Sequence, residues 1–116
     1  MGYGNNGIVH HLGKFVLMDN INASSNYTSN PLDINSFVIY AIQFSWTGFS
    51  APTSAIYTEG SNDGNTWTIV DSFIPNAGTG SRLLNVEKAG YAFVRVRYSQ
   101  LGGAGTINAI LNGKVT

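Results

Sequence analysis

Aromatic and guanidinium side chains alternate along one stretch of the chain, Gly90-Tyr91-Ala92-Phe93-Val94-Arg95-Val96-Arg97. Side chains two apart on a strand share a face, so Tyr91, Phe93, Arg95 and Arg97 project together. Such a face can stack unpaired bases between guanidinium groups, and the run matches much of the RNA-recognition signature: a glycine, an aromatic, a small residue, then Phe-Val. Three departures weigh against that use. Ala89 stands where the signature has a basic residue, Val96 replaces its last aromatic, and no stretch of the chain has the pattern of the two helices that fold requires. Nucleic acid is therefore not an expected partner. The same residues, with Phe49 from a turn segment, are the candidate interface: Phe49, Tyr91, Phe93, Arg95 and Arg97.

Other chemistry finds less support. His10 and His11 are adjacent, and neighbours on a strand point to opposite faces, so they cannot share one metal ion from a strand. Asp63 could offer oxygens to Ca²⁺, but only Glu59 lies near it in sequence, and a Ca²⁺ site needs about six ligands. The Asp63-Gly64 step is accounted for by a hairpin turn. Asp19, Asp33, Glu59, Asp63, Asp71 and Glu87 are scattered, and no serine has a partnered histidine in a nucleophile context. Gly78-Thr79-Gly80 and Gly102-Gly103-Ala104-Gly105 lack the lysine of a phosphate-binding loop. Without a cysteine there is neither a disulfide framework nor a thiolate-ligated zinc. No catalytic residue, metal or cofactor is expected.

Composition sets the frame for these residues. Six Lys plus Arg balance six Asp plus Glu, so 10% of 116 residues are charged, where an average domain has about 25%. Fourteen Gly, thirteen Asn, eleven Ser and nine Thr supply the polarity, while 43% of residues are hydrophobic, enough for a buried core. Zero net charge gives no general pull toward nucleic acid or anionic membrane and little repulsion between copies. The longest apolar run, Phe37 to Ile42, is far too short to span a bilayer as a helix.

The elements that must position the candidate face are strands. Apolar residues alternate over short runs, and no amphipathic helical spacing occurs. Strands are expected at 14–18, 37–47, 55–61, 66–71, 83–86, 91–99 and 106–111, with a tight turn at 62–65 and a loop over 73–82. Trp46 and Trp67 are in phase with apolar neighbours and are expected in the core. Seven to eight short strands with frequent turns describe an all-β chain, a single antiparallel sandwich of jelly-roll-like form. The expected division is an N-terminal arm with the first short strand over 1–25 and the sandwich over 26–116. The glycine-rich arm, Met1 to Gly13, has too little apolar surface to hold itself in place and is expected to dock against another copy.

Four segments carry a resemblance: Tyr40 to Gly48, Glu59 to Trp67, Ala89 to Tyr98, and Gly103 to Ala109. Together, over about 33–114, they resemble small bacteriophage virion proteins built as one β-sandwich, of the capsid-associated, decoration or spike type. The Ser61-Asn62-Asp63-Gly64 hairpin with Trp67 and the Val94-Arg95-Val96 strand are also similar, locally, to discoidin-like (coagulation factor type C) domains. No ligand residue transfers from them. The first resemblance implies a non-enzymatic structural protein of the virion, acting by self-association or docking on the capsid, with copies of itself and other virion proteins as partners. The alternative is a carbohydrate-binding, adhesin-like module with a glycan partner.

Overall fold

The computed structural model describes residues 13–50 and 54–115. Among the described residues nine strands follow in order: β1 (Gly13–Asn22), β2 (Tyr27–Thr28), β3 (Leu32–Asp33), β4 (Ile39–Phe49), β5 (Ala55–Ser61), β6 (Thr68–Phe73), β7 (Gly78–Glu87), β8 (Phe93–Ser99) and β9 (Thr106–Lys114). Sheet I has the order β1-β9-β4-β7. In sheet II β8 lies between β5 and the two short strands β2 and β3, and β6 flanks β5. All pairings are antiparallel. The chain changes sheet at every connection except β2 to β3 and the β5–β6 hairpin, and the two sheets form the expected antiparallel β-sandwich.

The alternation in β4 builds the core. Tyr40, Ile42, Phe44 and Trp46 point between the sheets and are 0–4% exposed, facing Val94, Val96 and Tyr98 of β8. Ile107, Ala109 and Leu111 of β9 join the same layer. The Trp46 indole N–H donates to the Asn76 carbonyl at 3.0 Å, so its one polar atom is satisfied.

Four departures from the sequence expectation have local causes. Residues 78–82 are strand, not loop, and extend β7 to ten residues. Gly78 and Gly80 look like loop signals, but a Cβ on Gly80 would stand 2.8 Å from the Trp46 ring, so the strand is glycine there to admit the indole. Phe49, read as a turn aromatic, ends β4 in the core at 2% exposure, packed edge-on against Tyr98. The register shift between Trp46 and Phe49, with Gly48 at φ +62, inserts a residue and turns Phe49 inward.

Trp67 is not in the core. It shares a face with Ile69 as the alternation implies, but a bulge in β6 opposite Thr58 and Glu59 turns that face outward, leaving Ile69 49% exposed. The connection after β5 is also longer than a tight turn, spanning 62–67, so β6 begins at Thr68. β1, grouped by the sequence with the N-terminal arm, is an edge strand of sheet I paired with β9 along its length. The arm and the His10-His11 pair lie outside the described residues.

Gly80→Val should overpack the Trp46 site and lower stability by about 1–3 kcal/mol in a urea titration, with an unchanged slope. An unchanged midpoint would show that β7 does not lie against the indole.

Candidate functional site

Inward positions of β8 are filled by Val94, Val96 and Tyr98, so Phe93, Arg95 and Arg97 are left on the outer face of sheet II. Pairing with β5 puts Glu59 beside Arg95 and Tyr57 beside Arg97. The Glu59 carboxylate accepts from Arg95 Nε at 2.8 Å and from Arg97 Nε at 3.0 Å, one arginine on each oxygen. Each guanidinium also lies over a ring: Arg95 is 4.2 Å from the Trp67 centroid and Arg97 is 4.4 Å from that of Tyr57. Five side chains from β5, β8 and the 62–67 connection thus form one layered cluster with a single excess positive charge.

Burial and ion pairing compete at Glu59, whose side chain is 6% exposed. Burial pushes its pKa up, but the hydrogen bonds and charges of Arg97 and Arg95 outweigh this and hold the carboxyl below its ordinary value. The arginine side chains, 24% and 33% exposed, are held by stacking and ion pairing before any partner arrives. Little side-chain freedom remains to be lost on binding. Trp, Tyr and Arg are also the residue types that dominate binding hot spots.

Tyr91 is separated from this cluster. It precedes β8, and its hydroxyl meets that of the buried Tyr40 at 2.6 Å, tying the ends of the two sheets together. Burial, then the Tyr91 hydrogen bond, raises the Tyr40 pKa far above the usual tyrosine value. A Cβ on Gly60 would stand 2.8 Å from the Tyr91 ring, so this glycine admits the phenol. Phe93 lies beyond Arg95 on β8, paired with Ser61 and with Asp33 of β3. Of the five candidate residues, Phe93, Arg95 and Arg97 share a surface, Tyr91 borders it, and the buried Phe49 is withdrawn as an interface residue.

The connection over 62–67 is organised by Asp63. Its Oδ1 accepts the backbone N–H groups of Asn65 and Thr66, each at 2.8 Å, and the Ser61 hydroxyl at 2.9 Å. The Thr66 and Asn65 amides, then the Ser61 hydroxyl, hold its pKa well below the carboxylate range. Asp63 is thereby a loop-shaping group, and among the described residues no three His, Cys, Asp or Glu side chains gather as a metal site. A depression of about 440 Å³ opens beside this loop, lined by Gly60, Ser61, Asn62, Asp63, Thr66, Thr68, Val70 and Tyr91.

The sequence identified the two arginines but missed Glu59, Trp67 and Tyr57 as their partners. One signal was present: Glu59 is a carboxylate that alternates in phase with Tyr57 on an expected strand, and the pairing of that strand with β8 brings it to the two arginines.

No protein-family model matches the chain, and no curated protein matches it significantly in sequence. Solved structures do share its fold. It is similar to the SPBc2 prophage-derived protein YomS, with a TM-score of 0.67 and 12% identity over 92% of this chain and 96% of that one. It is similar to the PBSX exported protein XepA, with a TM-score of 0.59 and 18% identity over 88% of this chain but only 36% of XepA. A protein of Bacillus endospore appendages, described as disulfide-linked pili, matches at a TM-score of 0.55 and 14% identity over 100% of this chain and 98% of its own. At these identities the likeness is one of fold.

Glu59→Ala should cost about 1–3 kcal/mol, since two arginines lose a charged acceptor. The native carboxylates of Glu59 and Asp63 hold their protons less tightly than unfolded ones. Their contribution is complete above about pH 4.3, the ordinary carboxylate value, and is lost as pH falls through the lower native values. The acid limb of a stability–pH curve should flatten in Glu59→Ala and again in Glu59→Ala/Asp63→Ala. An unchanged limb would contradict both assignments.

Proposed function

We propose that the chain is a non-enzymatic structural protein of a bacteriophage virion, working by self-association or by docking on the capsid. The observation that carries this reading is the outer face of sheet II, where Glu59 holds Arg95 and Arg97 rigidly over Tyr57 and Trp67. Such a face recognises by shape, stacking and charge. Similarity of fold to a prophage-derived protein over nearly the whole length of both chains supports the setting. A subunit with twelve charges in 116 residues has weak colloidal protection when alone and needs little inside a shell. The location that follows is the virion. Other copies and other virion proteins are the partners, and the arm from Met1 to Gly13 docks on a neighbouring copy.

A carbohydrate-binding module is the competing reading. The depression beside Tyr91 favours it, since an aromatic wall with the hydroxyl, amide and carboxylate groups of Ser61, Thr66, Thr68, Asn62 and Asp63 is chemistry suited to a sugar.

Light scattering across micromolar concentrations should show a mass above that of one chain. Deleting residues 2–12 should leave the fold intact and weaken assembly. Arg95→Ala/Arg97→Ala combined with Glu59→Gln, so that no buried carboxylate is left unanswered, should weaken docking on purified particles at least tenfold while the chain still melts cooperatively. A strict monomer that appears in no particle and binds a defined glycan would transfer the case to the carbohydrate reading.

A further inference from the structure

The two outer faces of the sandwich differ in charge. Sheet II exposes the Glu59, Arg95 and Arg97 cluster, whereas three cross-strand rows of sheet I carry no charge at all. The first row is Val16, Ile110, Gln43 and Leu83 across β1, β9, β4 and β7. Val16 is 59% exposed and Leu83 65%. The second is Asn108, Ser45 and Ser81, extended on β1 by Asn20, whose backbone N–H and side-chain oxygen form a reciprocal pair of hydrogen bonds with the Asn108 amide. The third is Asn22, Thr106 and Thr47. Charges lie at the margins, with Asp19 beside Asn20 on the edge strand, Lys14 at the start of β1, Lys114 and Glu87 in the end row, and Arg82, paired with Asp71, on the edge strand β7 between Ser81 and Leu83.

We infer that the outer face of sheet I docks on the same face of a second copy, the two related by a two-fold axis near Gln43 and Ile110. This rests on the self-association reading above and names its surface. Charge selects the occupant. Setting this face against the sheet II face would bury Arg95 and Arg97 with only uncharged groups opposite, and setting it against the Lys14, Lys88, Lys114 end would do the same to ammonium groups. Against itself, it meets amides, hydroxyls and an apolar row. The uncharged connections at the far end of the sandwich are loops, while two flat sheets can meet along their whole extent at about 10 Å. Four strands about 4.8 Å apart and about nine residues long span roughly 570 Å² of flat surface, a span that takes in the Ala41, Asn85 and Asn112 row and reaches the charged end row. A pair of such faces comes to about 1,140 Å², at the low end of the range for specific interfaces. A contact of one patch with its own copy is isologous, so residues at its centre meet their own equivalents.

The absence of cysteine makes the test clean. Gln43→Cys places a thiol at the centre of the face and Thr28→Cys, beside Arg97, places one on the opposite face as a control. With a short bis-maleimide linker, Gln43→Cys should give covalent dimers at low micromolar concentration and Thr28→Cys should not. The yield should hold between 50 and 500 mM salt, because neutral contacts are little screened. Leu83→Lys, and independently Ser81→Lys, should raise the dimer dissociation constant at least tenfold in sedimentation, both sites being solvent-exposed and outside the core. Dimers that survive both lysines and cross-link only through Thr28→Cys would overturn the inference and leave self-association standing. A wild-type chain that stays monomeric and uncross-linked throughout would overturn both.

Discussion

The column of side chains that β4 sends between the sheets governs the rest of the molecule. Tyr40, Ile42, Phe44, Trp46 and Phe49 come from one strand, lie at 0–4% exposure and touch elements of both sheets. Their size fixes where glycine must stand. Gly80 is bare beneath Trp46, and Gly60 is bare beneath Tyr91, the hydroxyl partner of Tyr40. The same column sets the register of β9 and β7 on either side of β4, and therefore which residues of those strands face water.

With the interior filled by uncharged groups, the charges are pushed to the outside, and Glu59 is the exception that shapes the surface. Its buried carboxylate is tolerable only because two guanidinium groups answer it, and those groups are in turn seated on Trp67 and Tyr57. A polar cluster that is fully satisfied in this way is rigid, and rigidity on an outer sheet face suits recognition. The opposite face obtains its polarity from Asn, Ser, Thr and Gln instead, which present hydrogen bonds without the desolvation cost of ions. A single sandwich thus offers two surfaces of different chemistry, one responsive to salt and one not.

Much of the fold was legible because a half-buried antiparallel strand writes its burial into the sequence with period two. β4, β5, β8 and β9 read correctly for that reason. What was illegible depends on events that break the period. A bulge after Trp46 brought Phe49 into the core, and a bulge in β6 put Trp67 outside it. Each moved an aromatic side chain to the face opposite the one its neighbours imply. The strand over 78–87 was hidden because Gly80 answers to a tryptophan thirty-odd residues away, which no local pattern records. In the candidate site Arg95 and Arg97 were visible as a pair, but Glu59 reaches them only through the β5–β8 pairing, 36 and 38 positions away in sequence.

Imaging the assembled protein at near-atomic resolution, in its particle or as the purified oligomer, tests the central claim most directly. The expected map shows repeated copies in contact through the sandwich faces, with Arg95 and Arg97 against a neighbouring protein and the uncharged face of sheet I closed on its own equivalent. A particle in which both outer faces are bare to solvent, or a preparation holding only separate chains with a sugar beside Tyr91, would contradict it.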